Sequence, residues 1–224
     1  MITESKSRWL HKVRFEFLLL ALMMVLFNKI FVPDQEVYIS YVWPFNMLLL
    51  GIASVGIFKE QRLFMRVIKN GLFLISILVP FFAATIFSTP VLSAIGLIAY
   101  IVYYLLIFSE VMRQITRRSE VTVGIVLGSV CGYLLLVVIA TFSFLLLEFV
   151  QPASFNNTTL NNIPVFYNEI AYFSMITLGT IGYGDITPAT SSARLMSAFF
   201  GIAGQFYMIT LVGIIVSRFS SRRP

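Results

Sequence analysis

The feature that most constrains this chain is a series of long apolar segments. Six are long enough, or nearly so, to cross the ~30 Å hydrocarbon core of a bilayer as helices. They lie at 14–32, 37–58, 68–88, 91–108, 121–149 and 193–218. Because 58% of the 224 residues are hydrophobic and 12% are charged, the composition also indicates a polytopic membrane protein. We therefore predict an all-α fold with six transmembrane helices, the first of them retained rather than cleaved as a signal peptide.

The positions of the basic residues indicate how these helices are oriented. If the six helices alternate in direction, only Lys29 and Arg194 fall on one side of the membrane. The other basic residues share the opposite side: Lys6, Arg8, Lys12, Arg14, Lys59, Arg62, Arg66, Lys69, Arg113, Arg117, Arg118, Arg218, Arg222 and Arg223. The positive-inside rule then predicts a multi-pass protein of the plasma or inner membrane with both termini cytoplasmic. The net charge of +6 is accordingly a topology signal, and no nucleic-acid partner is expected.

A seventh apolar stretch, about 164–177, is too short to span the membrane and runs directly into a glycine-rich loop. Pro164 is typical of a helix N-terminus, so this stretch is predicted to be a re-entrant helix. In the loop that follows, Gly182 and Gly184 permit positive φ without a Cβ clash. Alternating residues of opposite backbone hand would turn successive carbonyl oxygens toward one axis. Irregular backbone at membrane depth is tolerated when it is buried in protein or lines a water-filled path.

The loop resembles the selectivity filter of potassium channels. Residues 180–185 read T-I-G-Y-G-D, where the family signature is T-V-G-Y-G-D. The flanking Tyr172-Phe173-Ser174 and Ile186-Thr187-Pro188, and residues 203–207 downstream, look like bacterial six-transmembrane, one-pore channels. The resemblance implies a homotetramer that surrounds potassium ions with the backbone oxygens of four loops. The implied ion-binding filter consists of Thr180, Ile181, Gly182, Tyr183 and Gly184, with K+ held at the first four.

The same resemblance implies which residues support the filter, namely Thr177, Gly179, Asp185, Tyr172 and Phe173. Tyr183 would pack its ring with Tyr172 and Phe173, and Asp185 would accept a hydrogen bond from Tyr172. Many relatives carry Thr where this chain has Gly179, and glycine is expected to loosen the end of the pore helix. A weakly selective cation channel is therefore an alternative to a potassium-selective one. Glu169 is either a charge at the outer rim or part of a network behind the filter.

The last apolar segment contains a pair of glycines and one polar residue. Gly204 lies near the place where relatives have a gating hinge, but Gly201 and Gly204 together also fit a close-packing motif. A possible gating hinge and simple helix packing both stay open at this point. Gln205 is polar in mid-span, which favours a cavity-lining position or an interhelical hydrogen bond over exposure to lipid.

The chain divides into two predicted domains. Residues 1–120 would form a four-helix peripheral domain with a cytoplasmic linker, and residues 121–224 a pore domain of outer helix, turret, pore helix, filter and inner helix. The segment 91–108 holds no Lys or Arg, so the peripheral domain is predicted not to be a conventional voltage sensor. Arg113, Arg117 and Arg118 follow this segment and are expected to contact anionic lipid headgroups.

Functions outside the channel class have less support in the sequence. A transporter is disfavoured because there are no inverted repeats and almost no ionisable residues at mid-membrane. An enzyme is disfavoured because no His, Cys or carboxylate cluster with catalytic or ligand spacing lies within the spans. No cofactor is expected, and K+ would be the permeant ligand. A non-conducting scaffold is disfavoured by the intact filter motif, and the gating stimulus is left open.

Overall fold

The structure is a computed structural model, and it describes residues 2–55, 57, 71, 74, 90–117, 122–159 and 163–220. Within these ranges the long helices are α1 (Ile2–Phe27), α2 (Trp43–Val55), α3 (Pro90–Arg117), α4 (Val123–Val150), α5 (Ile163–Leu178) and α6 (Ser191–Ser220). Two short strands, β1 (Phe155–Asn156) and β2 (Thr187–Pro188), pair antiparallel. The described part of the chain is therefore almost entirely helical, with one small β ladder near the loop 179–185.

The last three predicted segments agree with the structure, since α4, α5 and α6 begin and end within two residues of the predicted 121–149, 164–177 and 193–218. Two helices, Ser93–Arg117 and Val123–Val150, are long and apolar enough to cross a membrane, judged by length and composition over the described residues. The full number of six spans stays a prediction.

The first half of the chain departs from the predicted boundaries because hydropathy locates the membrane-compatible part of a helix and not its ends. Polar residues continue α1 toward the N-terminus and α3 as far as Arg117, beyond the predicted 91–108. The predicted segment 37–58 begins as a π-helical turn, Tyr38–Val42, before it becomes α2. The predicted segment 68–88 lies outside the described residues apart from Gly71 and Leu74.

Helix α4 is the centre of the described structure, because α1, α3, α5 and α6 all pack against it. Small residues let its neighbours approach closely. A Cβ on Gly128 would lie 3.1 Å from the Phe15 ring of α1, and Gly132 faces the Tyr207 hydroxyl of α6. The Thr141 hydroxyl donates to the Val137 carbonyl at 2.9 Å, which satisfies it inside an apolar helix.

An aromatic cluster fixes α5 against α4. Phe144 lies at its centre and makes edge-on contacts with Phe155, Phe173 and Phe200, with ring centroids 5.3 to 5.5 Å apart. Such pairs each contribute about 0.5–1.5 kcal/mol beyond the area they bury. The cluster joins α4, β1, α5 and α6, so α5 is packed against its neighbours close to where the loop 179–185 begins.

Candidate functional site

The loop 179–185 leaves α5 through a tight turn. Gly179 N donates to Met175 O at 2.9 Å, and the amides of Ile181 and Gly182 both donate to Ile176 O, at 2.9 and 3.1 Å. A Cβ on Gly179 would lie 2.8 Å from the Met175 oxygen, closer than real Cβ atoms come. The glycine therefore fits a tightly bonded helix end, and its expected loosening of this end relative to threonine stays a prediction.

The backbone of the loop alternates in hand. Gly182 and Gly184 have φ of +58° and +80°, the conformation that their missing Cβ permits. Thr180 also has a positive φ, +57°, which the sequence did not indicate. For a β-branched residue this conformation is an outlier that costs about 1–3 kcal/mol and is typical of functional sites. Every second residue from 180 to 184 is thus left-handed, which is the pattern predicted for a carbonyl-lined path.

Asp185 and Tyr172 meet beside the loop. The Tyr172 hydroxyl donates to Asp185 Oδ2 at 2.7 Å, as the sequence analysis proposed. This hydrogen bond is the main cause that holds the pKa of the Asp185 carboxyl below its ordinary value. The bond ties the outer end of the loop to the middle of α5, so the loop is attached to α5 at both ends.

The predicted aromatic grouping around Tyr183 differs in the structure. Tyr183 is 72% exposed in the single chain. Phe173 points away from the loop and packs against Phe144 and Phe155 instead. Adjacent helix residues do not share a face, so within one chain Phe173 does not pack on Tyr183 together with Tyr172, and ring contacts between copies stay a prediction. Thr177 contributes its backbone oxygen, which accepts from Thr180 N at 3.1 Å.

The segment 151–159 after α4, the described part of the predicted turret, is hydrogen-bonded to the end of the loop 179–185. Asn157 Nδ2 donates to the Asp185 carbonyl at 2.9 Å, and Asn156 pairs with Thr187 in the β ladder. Glu169 on α5 accepts a hydrogen bond from Thr159 N at 2.8 Å and a second one from the Thr159 hydroxyl. Both bonds join Glu169 to the segment before α5 and not to the loop 179–185, so the outer-rim charge and the network behind the filter both stay open.

The sequence analysis missed a buried carboxylate at the base of the turret. Glu148 is 6% exposed, and its two oxygens accept from Ala153 N at 2.7 Å and Ser154 N at 2.8 Å. Ser154 O in turn accepts from Ala189 N at 2.8 Å, just after β2. The available signal was a lone acidic residue at the end of an apolar helix, three residues before the turn at Gln151–Pro152.

In α6, Gly204 packs closely against α5, and the gating hinge at this residue stays a prediction. The helix is continuous from Ser191 to Ser220. A Cβ on Gly204 would lie 2.9 Å from the Leu178 oxygen at the end of α5. Gln205 is exposed in the single chain, so its cavity-lining position and its interhelical hydrogen bond both stay predictions.

The three arginines predicted to contact lipid have different surroundings. Arg113 pairs with Glu110 on the same helix, with 2.5 Å between its Nη2 and the Glu110 Oε2. Arg117 is exposed near the end of α3, and Arg118 lies outside the described residues. Contact with anionic headgroups therefore stays a prediction, and Arg113 has an acidic side-chain partner.

Comparison with known proteins shows which part of the chain is similar to ion channels. Residues 132–221, which hold most of α4, the loop and α6, match a family model described as ion channel. Over 66 residues the chain is 41% identical to the two pore potassium channel c of Oryza sativa subsp. japonica, covering 30% of this chain and 14% of that protein. Over 88 residues it is 31% identical to the two-pore potassium channel 4 of Arabidopsis thaliana, covering 39% and 29%.

A bacterial protein gives the same result. Over 52 residues the chain is 36% identical to a putative potassium channel protein of Rhodopseudomonas palustris, covering 23% of this chain and 13% of that protein. The chain thus spans less than a third of the length of each of these curated relatives. No solved structure matches it. These similarities and the apolar helices support an ion channel domain in a membrane protein and a relationship to potassium channels.

Proposed function

We propose that this chain forms one quarter of a potassium-selective channel. The backbone oxygens of Thr180, Ile181, Gly182 and Tyr183 would replace the hydration shell of K+, with the Thr180 hydroxyl at the inner mouth. The observation that carries this proposal is the alternating backbone hand, with positive φ at Thr180, Gly182 and Gly184. A peptide chain of one hand cannot turn successive carbonyl groups toward one line, whereas an alternating chain can.

The exposed surface of the single chain supports assembly into a homotetramer. All residues from 179 to 185 are exposed, although they follow a helix that packs into the core. On α6, Phe199 and Phe206 are each 65% exposed and Ile202 is 55% exposed. One loop cannot surround an ion, so four copies around an axis would complete the coordination. The same arrangement would cover much of this apolar face.

The hydrogen bonds at the end of α5 support the potassium-selective proposal over the weakly selective alternative. That alternative rested on a loosened helix end at Gly179, and the turn there is closed by amides that donate to Met175 and Ile176. The two cases differ in a direct measurement. Under bi-ionic conditions a potassium-selective pore gives a reversal potential far from zero, and a weakly selective pore gives one close to zero.

The topology and domain organisation follow from the same proposal. Both termini would lie in the cytoplasm, and the loop would open to the outside of a plasma or inner membrane. The peripheral helices would not act as a conventional voltage sensor, because α3 carries only Arg113 and Arg117 as basic residues, both in its last two turns. A steep conductance–voltage relation with several gating charges per subunit would contradict this part.

The decisive experiment is K+ flux into proteoliposomes, with Ba2+ as blocker, for the wild type and Gly182→Ala. A Cβ at φ +58° has open space around it, so the penalty is conformational, about 1–2 kcal/mol in each chain. In a ring of four this penalty is multiplied, and we expect flux to be lost. Gly213→Ala is the matched control, because a Cβ there also meets open space, in a helix and away from the loop. Wild-type vesicles that pass Na+ as readily as K+, or a monomeric purified protein, would refute the proposal.

A further inference from the structure

A side chain from the peripheral part of the chain reaches α5 directly. The Tyr38 hydroxyl donates to Asn168 Oδ1 at 3.1 Å, across a sequence separation of 130 residues. Tyr38 is fully buried, at 0% exposure, and lies at the first position of the π-helical turn Tyr38–Val42. Single π-helical turns are rare and are frequently found at functional sites. Tyr38 lies outside residues 132–221, the region that matches the ion channel family model, whereas Asn168 lies within it.

The surroundings of Tyr38 hold its ring in one position. Lys29 Nζ lies 4.9 Å from the ring centroid, a cation–π distance, and also donates to the carbonyls of Val32 and Pro33 at 3.2 Å. On α2, the buried Asn46 forms a reciprocal amide pair with Asn28, at 2.7 and 3.3 Å. The Tyr38 hydroxyl therefore bonds α5 from a buried position, and Lys29 contacts its ring.

Asn168, which accepts this hydrogen bond, lies near Tyr172, the residue that bonds Asp185 at the end of the loop. Asn168 and Tyr172 are four residues apart on α5 and so share one face of the helix. Both line an open surface cavity of about 400 Å³, whose described lining is Asn157, Asn168, Glu169, Tyr172, Asp185 and Ile186. The cavity thus holds the Tyr172–Asp185 hydrogen bond and the turret residue that binds the Asp185 carbonyl. A rotation of α5 about its axis would move Asn168 and Tyr172 together.

We propose that Tyr38 is a positioning residue for the filter. By holding Asn168, it fixes the rotation of α5 at which Tyr172 reaches Asp185, and so the peripheral helices restrain the outer mouth of the pore. The inference rests on the proposed function for its effect on conduction, and on geometry alone for its effect on α5. Tyr38 does not touch the loop, and it acts only through Asn168.

The test removes the hydroxyl and keeps the ring. Tyr38→Phe should raise the hydrogen–deuterium exchange rates of amides near the end of α5 and at residues 179–185 about two- to tenfold, the value of one neutral hydrogen bond. Exchange in α6 should not change. In proteoliposomes the K+ over Na+ permeability ratio should fall. Tyr41→Phe is the matched control, because Tyr41 lies in the same turn and is 74% exposed.

A double variant separates positioning from general destabilisation. Tyr38→Phe combined with Asn168→Leu should have a smaller effect than the sum of the two single variants, since both remove the Tyr38–Asn168 bond. Effects that add, exchange that rises equally throughout the protein, or a permeability ratio that does not move would overturn the inference. If the wild type carries no K+ at all, the proposed function fails. The exchange measurement then still decides whether Tyr38 restrains α5.

Discussion

Two glycines of α6 test how this helix packs against the end of α5. Gly201 and Gly204 are one turn apart and face the end of α5. A Cβ on Gly201 would meet Thr177 O at 3.8 Å, which is ordinary van der Waals contact. A Cβ on Gly204 would lie 2.9 Å from Leu178 O and 3.2 Å from Leu178 Cβ. Those atoms belong to the backbone and to the base of a side chain, so they cannot turn away.

The two substitutions should therefore have opposite effects. Alanine is favoured over glycine in a helix interior by up to about 1 kcal/mol, so Gly201→Ala should stabilise the protein. Gly204→Ala has the same gain but must separate α6 from α5, and overpacking of this kind typically costs about 1–3 kcal/mol. The stability difference between the two variants should be about 1–3 kcal/mol. Because Leu178 precedes the Gly179 turn, K+ flux should fall only in Gly204→Ala.

The assay is thermal unfolding of the detergent-solubilised protein, followed by circular dichroism, together with flux in proteoliposomes. Equal stability of Gly201→Ala and Gly204→Ala would refute the packing argument. A Gly204→Ala variant that is as stable as Gly201→Ala, yet stays fixed in one conducting or non-conducting state, would support the hinge interpretation. The comparison is internal, since both substitutions add one methyl group to the same helix.

Two further predictions concern the outer mouth and the α4–α6 contact. The hydrogen bond from Tyr172 lowers the pKa of Asp185, so its stabilisation is present above the ordinary carboxyl value of 3.8 and is lost as pH falls through the lowered pKa. Tyr172→Phe should move the loss of flux to higher external pH, and an unchanged pH profile would contradict this role. A Cβ on Gly132 would overlap the Tyr207 hydroxyl, which donates to Ser129 O at 2.7 Å. Gly132→Ala should therefore lower the unfolding temperature, and adding Tyr207→Phe should recover part of it; no recovery would place the clash elsewhere.

Much of the site could be predicted from the sequence because its chemistry is local. Positive φ at Gly182 and Gly184 follows from the absence of a Cβ, and the short apolar stretch before them predicts α5 closely. The Tyr172–Asp185 bond was predicted through the resemblance alone. It depends on how α5 is rotated, which neither periodicity nor spacing determines.

Contacts between distant segments could not be predicted in the same way. In the sequence, Glu148 resembles an ordinary charged residue at a helix end, and only the fold shows that the amides of Ala153 and Ser154 donate to it. In the sequence, Asn168 resembles a surface amide, and only the fold shows that it accepts a hydrogen bond from Tyr38, 130 residues earlier. Gly179 was interpreted from its difference to relatives, and only the position of the Met175 carbonyl explains why a side chain is excluded there. In each case the missing information was the path of the backbone, which single-residue properties do not contain.

Hydrogen bonds to neighbouring segments hold the strained loop. Thr180 has an unfavourable φ, and the amides of its neighbours Ile181 and Gly182 both donate to Ile176 O at the end of α5. Asp185 accepts a hydrogen bond from Tyr172 through its carboxylate and one from Asn157 through its backbone oxygen. Residues 179–185 are nevertheless exposed in the single chain. Because backbone strain is typical of functional sites, a strained loop that is both held and exposed fits the proposed role of presenting carbonyl oxygens to an ion.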